Sequence, residues 1–387
     1  RKARSRSSRR ESPSLGAHPL RLLLRAVVFS RSAVAIALLL VGTAASRADA
    51  KPDISDLEAG PIVVNAEPVT SFVRDGPDRR LGKLTFVGGV VLTSPSAYFG
   101  GWSGLLVDDD AKSFFALSDT GVWMTGTLTY AGKRPTGVTN ARLGPLLNPS
   151  GRPIARSRDR DSESIALEGG TFQHGSVLIG FEDRHRIERY SLSPTGVRAA
   201  NVALKLPAAA ARMDPNKGFE ALTILKGGPY KGWPIAFSER LYDSARNHTG
   251  WLWTKDGPQT IHLKNVGDFD ITDIASLEDG TLFVLERRFR WLEGVKMRLV
   301  RVAPEALALD HTIEGETLIE ADMNDNIDNM EGLAVTRLHS GDVLITMISD
   351  DNFDPLIQRT ILLQFLLNGS RQAKARPPNE APGFDNR

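Results

Sequence analysis

Asp161-Ser162-Glu163-Ser164-Ile165-Ala166-Leu167 is one of four segments with the same form. The others are Lys217-Gly218-Phe219-Glu220-Ala221-Leu222-Thr223, Ile271-Thr272-Asp273-Ile274-Ala275-Ser276 and Asp328-Asn329-Met330-Glu331-Gly332-Leu333-Ala334. Each contains an acid at the head of a short apolar run. A degenerate fifth copy, Gly101-Trp102-Ser103-Gly104-Leu105-Leu106-Val107, carries Ser103 in the acid's place. The aligned positions 103, 163, 220, 273 and 331 are separated by 60, 57, 53 and 58 residues. A repeat of this period governs the architecture before any single motif is weighed.

Every copy continues alike. The first apolar strand leads to a Gly- or Asp-rich turn, such as Asp108-Asp109-Asp110, Glu168-Gly169-Gly170 or Glu278-Asp279-Gly280. A second apolar strand follows: Phe114 to Leu117, Val177 to Phe181, Pro234 to Phe237, Leu282 to Leu285 and Val343 to Met347. That strand ends in an acid: Asp119, Glu182, Glu239, Glu286 and Asp350. Short strands joined by such turns read as antiparallel hairpins. Near-continuous apolar runs imply strands covered on both faces. Helical periodicity is confined to two short segments, Pro207 to Arg212 and Pro304 to Leu309. The pattern predicts an all-β fold, a β-propeller of five four-stranded blades over residues 51–370. Leu81 to Leu92 is the N-terminal strand expected to close the last blade. A further strand-like run, Ile62 to Val69, leaves a sixth, atypical blade open.

The repeat also implies a geometry. Inner strands line the central channel and second strands run back antiparallel to them. The starts of the first set and the ends of the second therefore rim one mouth. A ring of like charges is costly unless something neutralises it. Arginines beside the second ring are one candidate: Arg184, Arg240 and Arg287. A hard, oxygen-seeking cation such as calcium is the other. The expected metal ligands are Glu163, Glu220, Asp273, Glu331, Asp119, Glu239, Glu286 and Asp350. The expected catalytic set is Glu163, Glu220 and Glu331 with Arg184, Arg240 and Arg287, the guanidinium groups gripping substrate oxygens.

Charge divides the chain in two. It holds 48 Lys+Arg and 46 Asp+Glu, a formal charge of +2. Ten of those bases and only two acids, Glu11 and Asp49, fall in residues 1–50. Removing them leaves 38 bases and 44 acids, so residues 51–387 are acidic by six charges. The basic stretch, the apolar run Ala33 to Ala45 and the small-residue site Ala48-Asp49-Ala50 describe a secretory signal cleaved after Ala50. The run is too short to span a bilayer. A periplasmic or secreted protein follows, with no membrane span once the leader is gone. Residues 371–387, with Pro377-Pro378 and few apolar groups, read as a disordered tail. The acidic domain excludes a nucleic-acid surface. The absence of cysteine excludes disulfides, iron–sulfur clusters and thiol catalysis. Gly101-Trp102-Ser103-Gly104 lacks the spacing of a serine nucleophile elbow, and no P-loop, dinucleotide fingerprint or H-E-x-x-H is present.

Gly101-Trp102-Ser103-Gly104-Leu105 with Leu117-Ser118-Asp119-Thr120-Gly121, then Glu163-Ser164-Ile165-Ala166, Phe219-Glu220-Ala221-Leu222 and Asn329-Met330-Glu331-Gly332-Leu333-Ala334, resembles the phytase-like family, also labelled "esterase-like activity of phytase". The resemblance covers most of residues 80–367. It implies an exported bacterial propeller that hydrolyses phosphate or carboxylic esters of small molecules. The competing expectations are a calcium-dependent lactonase-type hydrolase and a non-catalytic periplasmic binding or scaffold propeller. A monomer is expected in each case.

Overall fold

The computed structural model describes residues 51–74, 76, 81–309 and 311–369. The leader over residues 1–50 and the tail over residues 371–387 lie outside the described residues. Three strands precede the first repeat: β1 (Gly60–Pro61), β2 (Asn65–Val69) and β3 (Leu84–Thr93). Five blades follow in chain order. Blade one is β4 (Trp102–Val107), β5 (Ser113–Ser118), β6 (Val122–Ala131) and β7 (Arg134–Leu147). Blade two is β8 (Ser162–Gly170), β9 (Gly175–Phe181), β10 (Arg186–Ser193) and β11 (Gly196–Ala203). Blade three is β12 (Ala221–Ile224), β13 (Pro234–Tyr242), β14 (His248–Thr254) and β15 (Gly257–Leu263). Blade four is β16 (Asp270–Ser276), β17 (Leu282–Arg290), β18 (Gly294–Val302) and β19 (Glu316–Ala321). Blade five begins with β20 (Asn329–Arg337), β21 (Val343–Asp350) and β22 (Thr360–Leu367).

The chain runs out before blade five has a fourth strand, and β3 supplies it, antiparallel to β22 from Leu84↔Leu367 to Leu92↔Thr360. This is the expected closure by an N-terminal strand. The run read as a possible sixth blade does something else. Its β2 portion adds a fifth strand to the same blade, outside β3. β1 pairs instead with β7 of blade one. The N-terminal segment thus grips both sides of the seam. The outer strands β7 and β11 also pair in parallel at Leu146↔Val197, which joins blades one and two along their outer edges. The two short helical segments become 3₁₀ turns, Ala208–Arg212 and Pro304–Ala306.

The inner strands form a closed circuit: β4 touches β8, β8 touches β12, β12 touches β16, β16 touches β20 and β20 touches β4. Five apolar clusters fill the five gaps between blades. Blades one and two share Phe115, Leu117, Ile165 and Ile179. Blades two and three share Ala166, Leu178, Phe219 and Trp251. Blades three and four share Phe237, Leu252, Ile271 and Val284. Blades four and five share Phe283, Leu299, Met330 and Ile345. Blade five meets blade one through Leu362, Ile348, Trp102 and Phe114. Alternate residues of a strand face opposite neighbours, as Leu178 and Ile179 do. Both faces are therefore apolar, which is why the second strands read as unbroken hydrophobic runs.

Hydroxyl groups stitch the inner circuit between blades. Ser162 Oγ donates to the Ser118 carbonyl at 2.7 Å, Ser164 Oγ to that of Phe219 at 2.5 Å and Thr272 Oγ1 to that of Met330 at 3.2 Å. The circuit is tight enough to require glycine at Gly332, where a Cβ would meet Ile348 Cγ2 at 2.7 Å and Leu105 Cβ at 3.0 Å. Gly332→Ala is expected to destabilise the domain by about 1–3 kcal/mol, measured by chemical denaturation. An unchanged midpoint would contradict this close approach.

Candidate active site

Each inner strand carries a one-residue bulge near its start. The pairing register shifts between Trp102 and Gly104, Ser162 and Ser164, Ile271 and Asp273, and Met330 and Gly332. In blade three, Glu239 N bonds the Gly218 carbonyl and ladder pairing resumes at Ala221, so Glu220 occupies the same position. A bulged residue leaves the ladder and its side chain is re-aimed. The five bulge-position residues are Ser103, Glu163, Glu220, Thr272 and Glu331. On the second strands, the residues level with the start of the inner strand are Asp119, Glu182, Glu239, Arg287 and Asp350.

Blade four corrects the reading made from spacing. The repeat alignment selected Asp273 and Glu286, but the bulge falls on Thr272 and the ring position on Arg287. A slip of one residue sends a side chain to the other face of a strand. Asp273 points away from the mouth and clamps two blades, its Oδ1 accepting from Ile274 N at 2.8 Å and its Oδ2 from Leu333 N at 2.7 Å. Glu286 is buried inside blade four against Arg298, Oε2 to Nε 2.5 Å. Burial outweighs that arginine and pushes Glu286 up to about 7. Neither is a ring residue. In their place blade four contributes a hydroxyl and a guanidinium.

The other predicted acids converge. The Glu163 carboxyl feels Glu182, Asp161, Asp119 and Glu331, and Asp350 feels Glu331 and Asp119. Two triads have carboxylate oxygens mutually within 4.8 Å: Asp161, Glu163 and Glu182, and Glu182, Glu220 and Glu239. Glu182 is common to both. The proposed ligand set omitted it, although its place at the end of a second strand marked it in the sequence. Asp161, also missed, precedes Glu163 by two residues and so shares its side of the strand.

Three cations enter the ring. Lys51 Nζ lies 2.5 Å from Asp161 Oδ1 and 3.2 Å from Asp119 Oδ2. Lys217 Nζ lies 2.5 Å from Glu239 Oε2. Arg287 donates to Asn329 Oδ1 at 2.7 Å, and its Nη2 stands 3.7 Å from Glu331 Oε1 and 3.9 Å from Glu239 Oε1. Burial pulls the Arg287 pKa down, but Glu331, Glu239, Glu220 and Asp270 outweigh it and hold the guanidinium charged. Of the two other predicted arginines, one edges the ring and one does not. Arg184 pairs with Asp159 at 3.1 Å and is well exposed. Arg240 spans the rim to Asp270 at 2.6 Å and stands 3.9 Å from the ring acid Glu239.

Acids outnumber these cations. Asp119, Asp161, Glu163, Glu182, Glu220, Glu239, Glu331 and Asp350 face Lys51, Lys217 and Arg287. Among the described residues no ion pair reaches Glu163, Glu182, Glu220 or Asp350. Glu220 Oε1 is buried with no hydrogen-bond partner. Burial pushes the Glu163, Glu220 and Asp350 carboxyls well above the usual range, and neighbouring carboxylates push them further. Burial takes Asp119 up to about 6 against the pull of Lys51. The floor explains the desolvation. Two residues along from the bulges, on the same strand faces, stand Leu105, Ile165, Ile274 and Leu333, none more than 3% exposed. These four also line a cavity of about 440 Å³ that opens toward the opposite end of the channel, where Asp108, Asp109, Glu168, Lys226 and Glu278 edge it.

The fold and the ordered blade motifs now meet an independent finding: the model of the family described as "Phytase-like: Esterase-like activity of phytase" matches residues 97–353. The chain belongs to the phytase-like family. The match runs from just before the first bulge to just past Asp350, so it takes in all five ring positions of this phytase-like domain. No curated protein matches the chain. Distant likenesses among solved structures include the β-propeller domain of Cps50 (Swd1) from Myceliophteria thermophila, at 7% identity over 78% of this chain and 99% of that one, TM-score 0.35. A protein of unknown function from Dyadobacter fermentans is 11% identical over 80% and 98% of the two chains, TM-score 0.36. Neither bears on activity.

Two outcomes follow from the electrostatics. Asp273→Ala should cost about 1–3 kcal/mol by orphaning two buried N–H groups, with any calcium-induced rise in Tm left intact; loss of that rise would return Asp273 to the ring. The raised carboxyls bind protons more tightly folded than unfolded. Their stabilisation is complete below the unfolded carboxylate range and is lost as pH rises through the folded values. His248 runs the other way, since burial pushes it down to about 4 and its contribution is lost as pH falls. Above roughly pH 6.5, the free imidazole value, His248 is neutral in both states. In chelator, Tm should therefore still fall as pH rises past about 6.5, through the value near 7 of Glu286 and the upper limb of Asp119 near 6. A flat profile there would mean these buried carboxyls, Glu286 inside blade four and Asp119 in the ring, are not strained.

Proposed function

We propose that this phytase-like chain is an exported hydrolase of phosphate or carboxylic esters that works at the acid mouth with a hard cation, calcium by its donor set. The observation that carries the reading is the split of the mouth into two corners. One holds Glu163, Glu182 and Glu220, close together and without a cationic partner. The other holds Arg287 beside Asn329 and Glu331. A group of carboxylate oxygens at this spacing, with a buried orphan acceptor, fits a cation that prefers oxygen ligands. Glu163, Glu182 and Glu220 would hold it, with Asp161 and Glu239 at the flanks. A bound cation would supply Lewis-acid polarisation of the substrate's phosphoryl or acyl oxygen.

The chain's own groups do the rest in this reading. Arg287 offers donors that orient one substrate oxygen and meet the negative charge that develops on it. Glu331 lies outside both triads and accepts from Asn329 Nδ2 at 2.8 Å. It is the carboxylate free to take a proton from the attacking water. Its pKa is raised by burial, against the pull of Arg287. A higher pKa makes it a better base once it is ionised. The apolar floor of Leu105, Ile165, Ile274 and Leu333 keeps bulk water from entering from below. The leader-like first fifty residues support export to the periplasm or beyond.

The test combines metal content of the purified protein with a panel of a phosphate monoester, a short acyl ester and a lactone. Turnover of the first or second, abolished by chelator and restored by calcium, is expected. Glu331→Gln should lower kcat by about a hundredfold or more without lowering Tm, since it neutralises a buried carboxyl. Turnover confined to the lactone would make this a lactonase-type enzyme. Calcium binding with no turnover on any of the three would make it a binding propeller. Absence of any cation effect would remove the metal from the reading.

A further inference from the structure

The five carboxylates of the cation-seeking corner do not form one group. Oxygens that share one hard cation, each about 2.3–2.6 Å from it, stand at most about 5 Å apart. The carboxylates meet that limit as two overlapping triads. One is Asp161, Glu163 and Glu182 in blade two; the other is Glu182, Glu220 and Glu239, across the seam to blade three. Glu182 is the member they share. Its place is fixed from blade three, where the Gly218 N–H donates to Glu182 Oε1 at 3.3 Å. That approach requires glycine, since a Cβ on Gly218 would fall 2.9 Å from both Cα and Cγ of Glu182.

Each triad also holds buried carboxylate oxygen without a partner, which is costly unless something arrives to meet it. In the first triad it is Glu163, only 8% exposed, which has neither a hydrogen bond nor an ion pair among the described residues. In the second it is Glu239, 2% exposed, whose Oε1 has no hydrogen-bond donor, with Arg240 and Arg287 standing 3.9 Å off. Glu220 Oε1 is a further orphan there. A lysine answers each triad only on its outer side: Lys51 takes Asp161 Oδ1 and Lys217 takes Glu239 Oε2, both at 2.5 Å. The mouth as a whole sets eight carboxylates against three cationic side chains. One divalent ion would leave three negative charges uncompensated; two would leave one.

We infer that the mouth takes two hard divalent cations, one in each triad, with the Glu182 carboxylate bridging them. The inference rests on the cation of the proposed function and divides that single site in two. Two ions sharing a carboxylate can bear on the attacking and the leaving oxygen of one reaction at once.

The test counts calcium bound to the purified, chelator-treated chain by titration calorimetry. The chain carrying Glu163→Gln, Glu182→Gln and Glu220→Gln together sets the background. Two equivalents above that background are expected. Glu163→Gln and Glu220→Gln should each weaken one equivalent by about tenfold or more and leave the other, and Glu182→Gln should weaken both. Manganese(II) in calcium's place should give the exchange-coupled paramagnetic resonance signal of paired ions, and each single substitution should abolish that coupling. None of the substitutions should lower Tm in chelator, because each removes a charge from a crowded acidic mouth; a lost equivalent is then a lost ligand, not a lost fold. A single equivalent, weakened alike by Glu163→Gln and by Glu220→Gln, overturns the pair and leaves the proposed function standing with one ion. Two equivalents of which Glu182→Gln weakens only one overturn the bridge. No equivalent above background overturns this inference and removes the cation from the proposed function as well.

Discussion

The bulge at the head of each inner strand is the constraint on which the mouth depends. A residue inside a regular ladder has its side chain set by the pleat and packed against the next blade. A bulged residue escapes that rule, and in three blades of this propeller the released residue is a glutamate. The second strand brings another charged residue to the same level. Ring closure then forces five such pairs into one small space, and the apolar layer two residues below denies them water. The strain of the carboxylates is therefore a product of the fold, not of any one blade.

That strain is only partly relieved. Lys51, Lys217 and Arg287 reach into the ring from three different places in the chain, and the last two share Glu239. Blade four is the exception that shapes the site. By offering Thr272 and Arg287 where its neighbours offer acids, it breaks the symmetry and places a guanidinium opposite the unpaired carboxylates. A mouth with both a cation-seeking and an anion-seeking corner can polarise a substrate between them. A uniform ring would only collect counterions. Glycine makes the crowding sterically possible. Gly101 has φ +66° and a Cβ there would fall 2.3 Å from Asp119 Oδ1, so no other residue lets that carboxylate sit where it does.

Most of the fold was legible in the repeat. Five second strands, the hairpin turns, the closing strand near Leu84 and the two short helical turns all lie where the pattern predicts. The acids of blades two, three and five stand at the mouth end of their inner strands, as the repeat predicts. Blade four misled because its motif contains an acid one place off on each strand, past the bulge on β16 and short of ring level on β17, and Asp273 and Glu286 found other work, one bridging blades and one pairing with Arg298. A repeat alignment matches residue types; it has no access to the register of hydrogen bonds. Lys51 was invisible for a different reason. It belongs to no repeat and comes to Asp119 and Asp161 only because the N-terminal segment is folded back across the closed ring.

The sequence by itself therefore determined the architecture, since alternating apolar strands at a period near 55 residues can bury both faces only by stacking radially into a closed ring. It also determined that acids gather at one end of the channel, because four of the five repeats begin the hairpin with an acid and all five end it with one. Only the tertiary structure decided which acids belong to the mouth, which are spent on holding blades together, and where the positive charges enter. Those outcomes turn on a one-residue register and on contacts between segments up to 110 residues apart. Neither leaves a mark in the local pattern of a chain.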